Sequence, residues 1–280
     1  EYKDIGSIDV NPANGELYLK EMNRQQIHVY SLDGKFKHSF TFPEGKRMSR
    51  MCLFSPDYLI AEQESKVPDD QDANFYPYLL VSTRDGHLDS LDYVQKRNIL
   101  VKLIVNAENH SYAYLLEPSL IRNGSRFYIG NPDSDTLFAM NPDRTLEPLL
   151  VRTPSHSEEG NKYGLFLRGA AGAYFFLTKQ PMEVPMNSIE SLDLKSEEWL
   201  YDCRTQEVCR YLLKNKDDAS KRVEGIMFFC YPEDCGLAVL KSEDLMDAYE
   251  AGQLSGELKE IAAGLKADDN PVLMLIHFKK

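Results

Sequence analysis

Six histidines, five cysteines and 44 acidic residues are the groups in this 280-residue chain that could bind metal, move a proton or attack a carbon. Their spacing supports little of that chemistry. His28, His38, His87, His110, His156 and His277 are scattered one per region, with no HxH or HExxH. They read as surface or strand histidines. Cys52, Cys203, Cys209, Cys230 and Cys235 contain no CxxC, and no Cys/His group has zinc spacing. Cys203 and Cys209 flank a turn, and Cys230 and Cys235 bracket Tyr-Pro-Glu-Asp. Either pair could close a disulfide in an oxidising compartment, but semi-buried thiols are the expectation.

The paired carboxylates Asp69/Asp70, Glu158/Glu159, Asp217/Asp218 and Asp268/Asp269 sit in polar stretches. Adjacent acids on a loop repel and stay solvated, whereas acid–base catalysis needs one of them desolvated. VPDDQDAN (67–74) and NPDSDT (131–136) space their acids as Ca²⁺ loops do without forming an EF-hand. Ca²⁺ is the one metal ion left open, no resident cofactor is expected, and solvated loops are the expectation. There is no GxSxG nucleophile elbow, P-loop or GxGxxG. LRGAAGAYF (167–175) is rich in small residues, but it lies between two strands with no helix after it, so it reads as a tight turn. Tyr2, Tyr76, Tyr78, Tyr163, Trp199 and Tyr201 could stack on sugar rings; alternation within strands assigns them to packing instead.

The elements that position these residues are legible from period-two alternation. SIDV (7–10), ELYLK (16–20), IHVYS (27–31) and KFKHSFTF (35–42) alternate and are separated by NPANG, a polar stretch and LDG, which gives four short antiparallel strands. The device returns at 50–93, 119–151 and 163–213, with turns near residues 85, 143 and 205, and opens again at 224–241. A strand–turn unit repeating every roughly 40–60 residues is the pattern of propeller blades. SEDLMDAYEAGQ (242–253) and SGELKEIAAGLK (255–266) carry helix formers behind Ser242 and Ser255, which stand where N-caps belong. VLMLIHF (272–278) is almost wholly apolar and reads as a strand buried on both faces.

Bulk composition limits the partners. The formal charge is −12, against a nucleic-acid binder or a polybasic membrane contact. No apolar run approaches the roughly 20 residues of a membrane-spanning helix.

Three stretches carry a family resemblance. EYKDIGSIDVNPANGELYL (1–19), IHVYSLDGKFKHSF (27–40) and ADDNPVLMLIHFKK (267–280) are similar, respectively, to the segment after a Gly-rich "GPGEY" turn, to a strand–DG–strand blade edge and to a C-terminal strand. All three belong to the exported, NHL-like six-bladed β-propeller proteins of Bacteroides-type bacteria, a largely uncharacterised family. The resemblance implies an all-β six-bladed β-propeller, about five blades of it within this chain, with a short helical insertion in the last blade. It implies one domain, 1–280, incomplete at the N-terminus because the family has roughly another blade upstream. It also implies export to the periplasm or outer surface, often as a lipoprotein anchored through a removed N-terminus, and no established activity.

Propeller geometry puts the first strand of each blade along a central channel. Tyr2, Asp4, Arg50, Glu117, Tyr163, Arg168 and Glu224 then form the candidate ligand-binding funnel, an argument by fold analogy. The expectation is a non-enzymatic, extracytoplasmic binding or scaffold module for a glycan, peptide or protein partner. The alternative is a Ca²⁺-type propeller hydrolase or lactonase using acids such as Asp4, Asp9, Glu117 and Glu224.

Overall fold

Apolar–polar alternation broken by Asp-Gly and Asn-Gly dictates short antiparallel strands, and such strands dominate the structure. The computed structural model describes residues 4–279 apart from 22, 45, 65–75, 92–99, 107–110, 117–119, 132–133, 159, 161, 186–195, 219–222, 224–225 and 229–233. The chain divides into two compact units, residues 1–100 and 101–280.

The first unit contains two four-stranded meanders. Strands β1 (Ile5–Asn11), β2 (Glu16–Glu21), β3 (Gln26–Ser31) and β4 (Phe36–Thr41) pair in sequence order, as do β5 (Met48–Ser55), β6 (Tyr58–Gln63), β7 (Tyr78–Ser82) and β8 (Leu88–Ser90). Tyr18, Ile27, Val29, Met48, Leu59 and Val81 are fully buried in one cluster drawn from both sheets. These are the inward residues of alternating strands, so burial on one face fixes the register of each.

Among the described residues, the second unit holds four sheets. Strand β9 (Leu100–Asn106) pairs with β10 (Ser111–Leu116), and β11 (Leu120–Asn123), β12 (Arg126–Ile129), β13 (Thr136–Met140) and β14 (Leu146–Val151) form a meander. Strands β15 (Tyr163–Ala171) and β16 (Tyr174–Pro181) form a long hairpin. The chain next forms β17 (Glu183–Pro185), which leaves that sheet and pairs in parallel with β9, Val184 opposite Leu103. Strands β18 (Glu197–Asp202) and β19 (Glu207–Arg210) complete the sheet β15-β16-β18-β19. Finally β20 (Met227–Phe228), β21 (Cys235–Leu240), helices α1 (Ser242–Glu250) and α2 (Gly256–Ala262), and β22 (Val272–His277) give a three-stranded sheet with a helical pair inserted before its last strand. Tyr128 meets Phe175 edge-on at 4.7 Å within the cluster that joins the β11–β14 sheet to the β15-β16-β18-β19 sheet.

The expected strand sets and the helical insertion are present, with three differences. Among the described residues there are six sheets, one of which, formed by β9, β10 and β17, has no counterpart in the strand sets expected from the sequence. Ser242 is the first residue of α1 rather than its N-cap, which is Lys241. The Ser242 hydroxyl instead donates to the carbonyls of Asp269 and Asn270, tying the helix start to the approach of β22. The run 272–278 is not buried on both faces. Leu273 and Leu275 are 64% and 53% exposed, because nothing among the described residues covers that face of β22.

The third-to-fourth-strand hairpins of four sheets share one device, a last loop residue at positive φ, over loops of three residues (32–34, 142–144) or four (83–86, 203–206). Gly34 and Gly86 take positive φ of 82° and 74°, and the corresponding hairpins place Arg144 at 74° and Gln206 at 58°. Each turn also carries an aspartate whose carboxyl is held below the usual range: Asp33 by Lys35 and Ser31, Asp85 by Ser82 and His87, Asp143 by Thr145, and Asp202 by Arg204, the last to about 2. A side chain at left-handed φ costs about 1 kcal/mol relative to glycine, partly offset by the greater freedom of glycine in the unfolded chain. Gln206→Gly is therefore expected to raise stability by about 0.5 kcal/mol in urea unfolding. A loss would show that the Gln206 side chain itself holds the turn.

Candidate functional site

Three turns of the first unit converge because a single carbonyl collects them. The Asn11 and Asn14 side-chain amides, from the β1–β2 turn, donate to the Pro56 carbonyl at 2.9 and 3.0 Å, and the Thr83 hydroxyl donates to it at 3.2 Å. Thr83 N–H donates to the neighbouring Asp57 carbonyl at 2.9 Å. The Asp9 carboxylate accepts the Leu53 N–H at 2.6 Å, clamping β1 to β5. Each bond satisfies a loop backbone group that burial would otherwise leave unpaired.

Between these turns lies a cleft of about 580 Å³. Asn14 and Glu16 come from the start of β2, His38 from β4, Asp57 and Tyr58 from the β5–β6 turn, and Ser82 through Asp85 from the β7–β8 turn. Its volume is that of a small-ligand pocket. Its lining is polar, with acids, an arginine, hydroxyls and the half-buried Tyr58.

Glu16 anchors the cleft wall. Glu16 and Tyr18 share one face of β2, and the Tyr18 hydroxyl donates to Glu16 Oε2 at 2.5 Å. Lys37 reaches from β4 to donate to Oε1 at 2.5 Å. Burial pushes the Glu16 carboxyl up, but the bonds from Lys37 and Tyr18 outweigh it, and the net direction is down. Burial first, and the Glu16 bond second, push the Tyr18 phenol up to about 12. A carboxylate bonded on both oxygens and held ionised is a fixed acceptor, and a poor proton donor at neutral pH. Nearby, His38 Nε2 is buried without a hydrogen-bond partner among the described residues. A nitrogen so placed accommodates a donor or acceptor from a ligand.

On the same face of β2, Lys20 is fully buried and its ammonium has no hydrogen-bond partner among the described residues. Burial drives its pKa down, and the Glu64 carboxylate only partly compensates.

Four of the expected funnel residues are among the described residues. Asp4 is exposed and accepts a hydrogen bond from the Asn23 amide. Arg50 is exposed on β5. Tyr163 is exposed at the start of β15, with the Lys179 ammonium 5.1 Å from its ring centroid. Arg168 sits where the β15–β16 register shifts; it donates to Gln180 Oε1 at 2.8 Å and lies 5.1 Å from the Phe166 ring centroid. None of these four lines the cleft. Tyr2, Glu117 and Glu224 lie outside the described residues, as does the stretch VPDDQDAN. Asp135, from the second acidic stretch, accepts the His156 N–H at 2.5 Å.

Of the aromatic residues, Tyr78 and Tyr201 are buried in packing, as alternation implies. Cys203 and Cys209 are thiols: Cys209 faces Leu200, while Cys203 lies beyond the paired residues of the hairpin. Cys230 is outside the described residues. In the second unit, Asp234, Cys235 and His277 bring three metal-ligating atoms within 4.8 Å of one another.

Residues 1–277 match the family model described as a domain of unknown function, DUF4934. Among solved structures, a Bacteroides fragilis protein assigned as exported superposes with a TM-score of 0.64 at 13% identity, covering 100% of this chain and 78% of that one. A member of the DUF4221 family from Bacteroides vulgatus superposes with a TM-score of 0.51 at 7% identity, covering 98% of this chain and 79% of that one. No curated protein matches the chain. No helix among the described residues is long and apolar enough to cross a membrane.

Proposed function

The chain belongs to the DUF4934 family, and from that premise we propose that it is a non-enzymatic, extracytoplasmic binding module of β-propeller type whose ligand is a glycan held in the cleft of its first unit. The single observation that carries the reading is the cleft itself: about 580 Å³, with Glu16 fixed as an acceptor and with Asp57, Tyr58, Arg84 and Asp85 in its lining. Sugars present alternating hydroxyl donors and acceptors around an apolar ring face. A wall of carboxylates, hydroxyls and a guanidinium with one aromatic ring matches that chemistry. The four-stranded meanders and the superposition on a protein assigned as exported support the propeller arrangement and the extracytoplasmic location. Anchoring by lipid belongs to the same proposal and draws support from the family resemblance alone.

The test is a thermal-shift and calorimetry screen with neutral and uronic-acid oligosaccharides, alongside short peptides and Ca²⁺ with a chelator control. An oligosaccharide at about 100-fold its dissociation constant should add roughly 2.7 kcal/mol of stability. Arg84→Ala or Asp57→Ala should weaken its binding about tenfold each, the size of one hydrogen bond to a charged group. Oligosaccharide binding that ignores both substitutions would remove the cleft from the reading. A peptide-only response would replace the glycan with a protein partner, and a Ca²⁺ shift reversed by chelation would favour the propeller-hydrolase alternative.

A further inference from the structure

The pairing of β21 with β22 brings together residues that their separation in sequence conceals. Cys235 stands directly opposite His277. Phe278 N–H donates to the Asp234 carbonyl at 2.8 Å, so the ladder bond flanks the Cys235–His277 pair rather than joining it. In an antiparallel ladder such non-hydrogen-bonded pairs bring facing side chains closest. Cys235 Sγ accordingly lies 3.1 Å from His277 Nδ1 and 3.8 Å from Asp234 Oδ1. Cys235 is wholly buried, whereas His277 is exposed and Asp234 partly so.

A thiolate, an imidazole and a carboxylate within this distance form a donor set suited to Zn²⁺, the borderline-soft divalent cation bound by S, N and O ligands. A tetrahedral ion with Zn–S near 2.3 Å and Zn–N near 2.05 Å separates the two donors by about 3.6 Å. Moving the imidazole outward by about half an ångström gives that S–N separation, and the exposed ring and the partly exposed Asp234 carboxylate both have room to adjust around an ion.

We propose that Asp234, Cys235 and His277 form a Zn²⁺ site with three protein donors and one position open to water. On binding, the Cys235 S–H releases its proton to solvent as the Zn–S bond forms. His277 ligates through the lone pair of neutral Nδ1, and Asp234 ligates as the carboxylate. The two anionic ligands cancel the charge of the ion, and no electron is transferred. The site lies in the second unit and stands independently of the cleft and its ligand.

The experiment uses the full chain, reduced and stripped with a chelator, then titrated with Zn²⁺ against a chromogenic competitor. One tight-binding equivalent per chain is expected. Co²⁺ in its place should show a thiolate-to-metal charge-transfer band. His277→Ala changes an exposed side chain and leaves the fold standing; it should weaken Zn²⁺ binding by about 100-fold or more. Cys235→Ser should abolish the Co²⁺ band, and if that buried substitution unfolds the protein, His277→Ala carries the test alone. Zn²⁺ binding unchanged by His277→Ala, Co²⁺ binding without a thiolate band in the unsubstituted chain, or Cys235 recovered in a disulfide by non-reducing peptide mapping would each overturn the site.

Discussion

Lys20→Met is expected to stabilise the protein by about 2 kcal/mol, within the range measured when buried charges give way to packed apolar side chains. Met nearly matches the stem of Lys in length and removes the group that burial penalises. Lys20 is fully buried, and its ammonium finds no hydrogen-bond partner among the described residues. The native state must therefore either hold a poorly compensated cation or release a proton. For a chain of this size the gain corresponds to a rise in melting temperature of roughly 4–8 °C. The direction with pH follows from the lowered pKa. Between the folded pKa and the unfolded value near 10.4, the unfolded state binds the extra proton, so native stability rises with pH across that window. The advantage of the variant should shrink as pH is raised toward 10. Urea unfolding at pH 7 and at pH 9.5 measures both effects. A destabilised variant, or a gap that widens with pH, would show that the Lys20 ammonium is compensated in the native state.

The second large effect is at Glu16. Glu16→Ala removes the acceptor of the buried Tyr18 hydroxyl and of Lys37 together. The Lys37 side chain is 41% exposed, so its ion pair is screened and contributes modestly. The buried Tyr18 bond carries more, although Asn11 and Thr83 also hydrogen-bond that hydroxyl. A loss of about 2 kcal/mol is expected, measured by chemical unfolding. The substitution also has a spectroscopic readout. The Tyr18 phenol is held near 12 by burial and by Glu16, so its ultraviolet titration should move downward in the variant. Because the folded pKa exceeds the unfolded value near 10, the Tyr18 contribution is complete below pH 10 and is lost as pH rises toward 12. The variant should soften that alkaline loss. An unmoved titration would mean that burial alone sets the phenol.

These two positions show where reading the sequence succeeds and where it stops. ELYLK alternates, and that suffices to assign β2 and to place Glu16, Tyr18 and Lys20 on one face. Alternation predicts which side chains share a face, but a lysine on the inward face contradicts the binary pattern, and only the structure shows that it stays inward. Turn chemistry was equally legible: Asp33-Gly34 and Asp85-Gly86 close hairpins with positive φ at the glycine. Arg144 and Gln206 perform the same task without the glycine signal, and the repeat in the sequence located them.

The cleft was not legible. Its residues run from Asn14 to Asp85, and each looks like an ordinary turn residue until the Pro56 carbonyl gathers the turns. Fold analogy directed attention to first-strand residues such as Asp4 and Arg50, which lie outside its lining. Local metal spacing likewise missed Cys235 and His277, because a cross-strand pair leaves no short-range motif. The exposure of the last strand is hidden from the sequence for a related reason. Hydrophobicity along VLMLIHF reports how apolar the run is, while burial depends on what covers each face, and nothing among the described residues covers the face of β22 that carries Leu273 and Leu275.

The parallel pairing of β17 with β9 has a consequence in time. Lys102–Ile104 must wait for Glu183–Pro185, which follow the whole β11–β14 meander and the β15–β16 hairpin. In a chain growing from its N-terminus, β9 therefore keeps an open edge until residue 185 has been made. An unpaired strand edge is a template for wrong partners, and non-local pairing is the slow part of β-sheet assembly. Most sheets of this protein close on contacts made between consecutive strands. This one is finished by a segment made long after its own hairpin, so the period of greatest vulnerability during synthesis is written into the order of the chain.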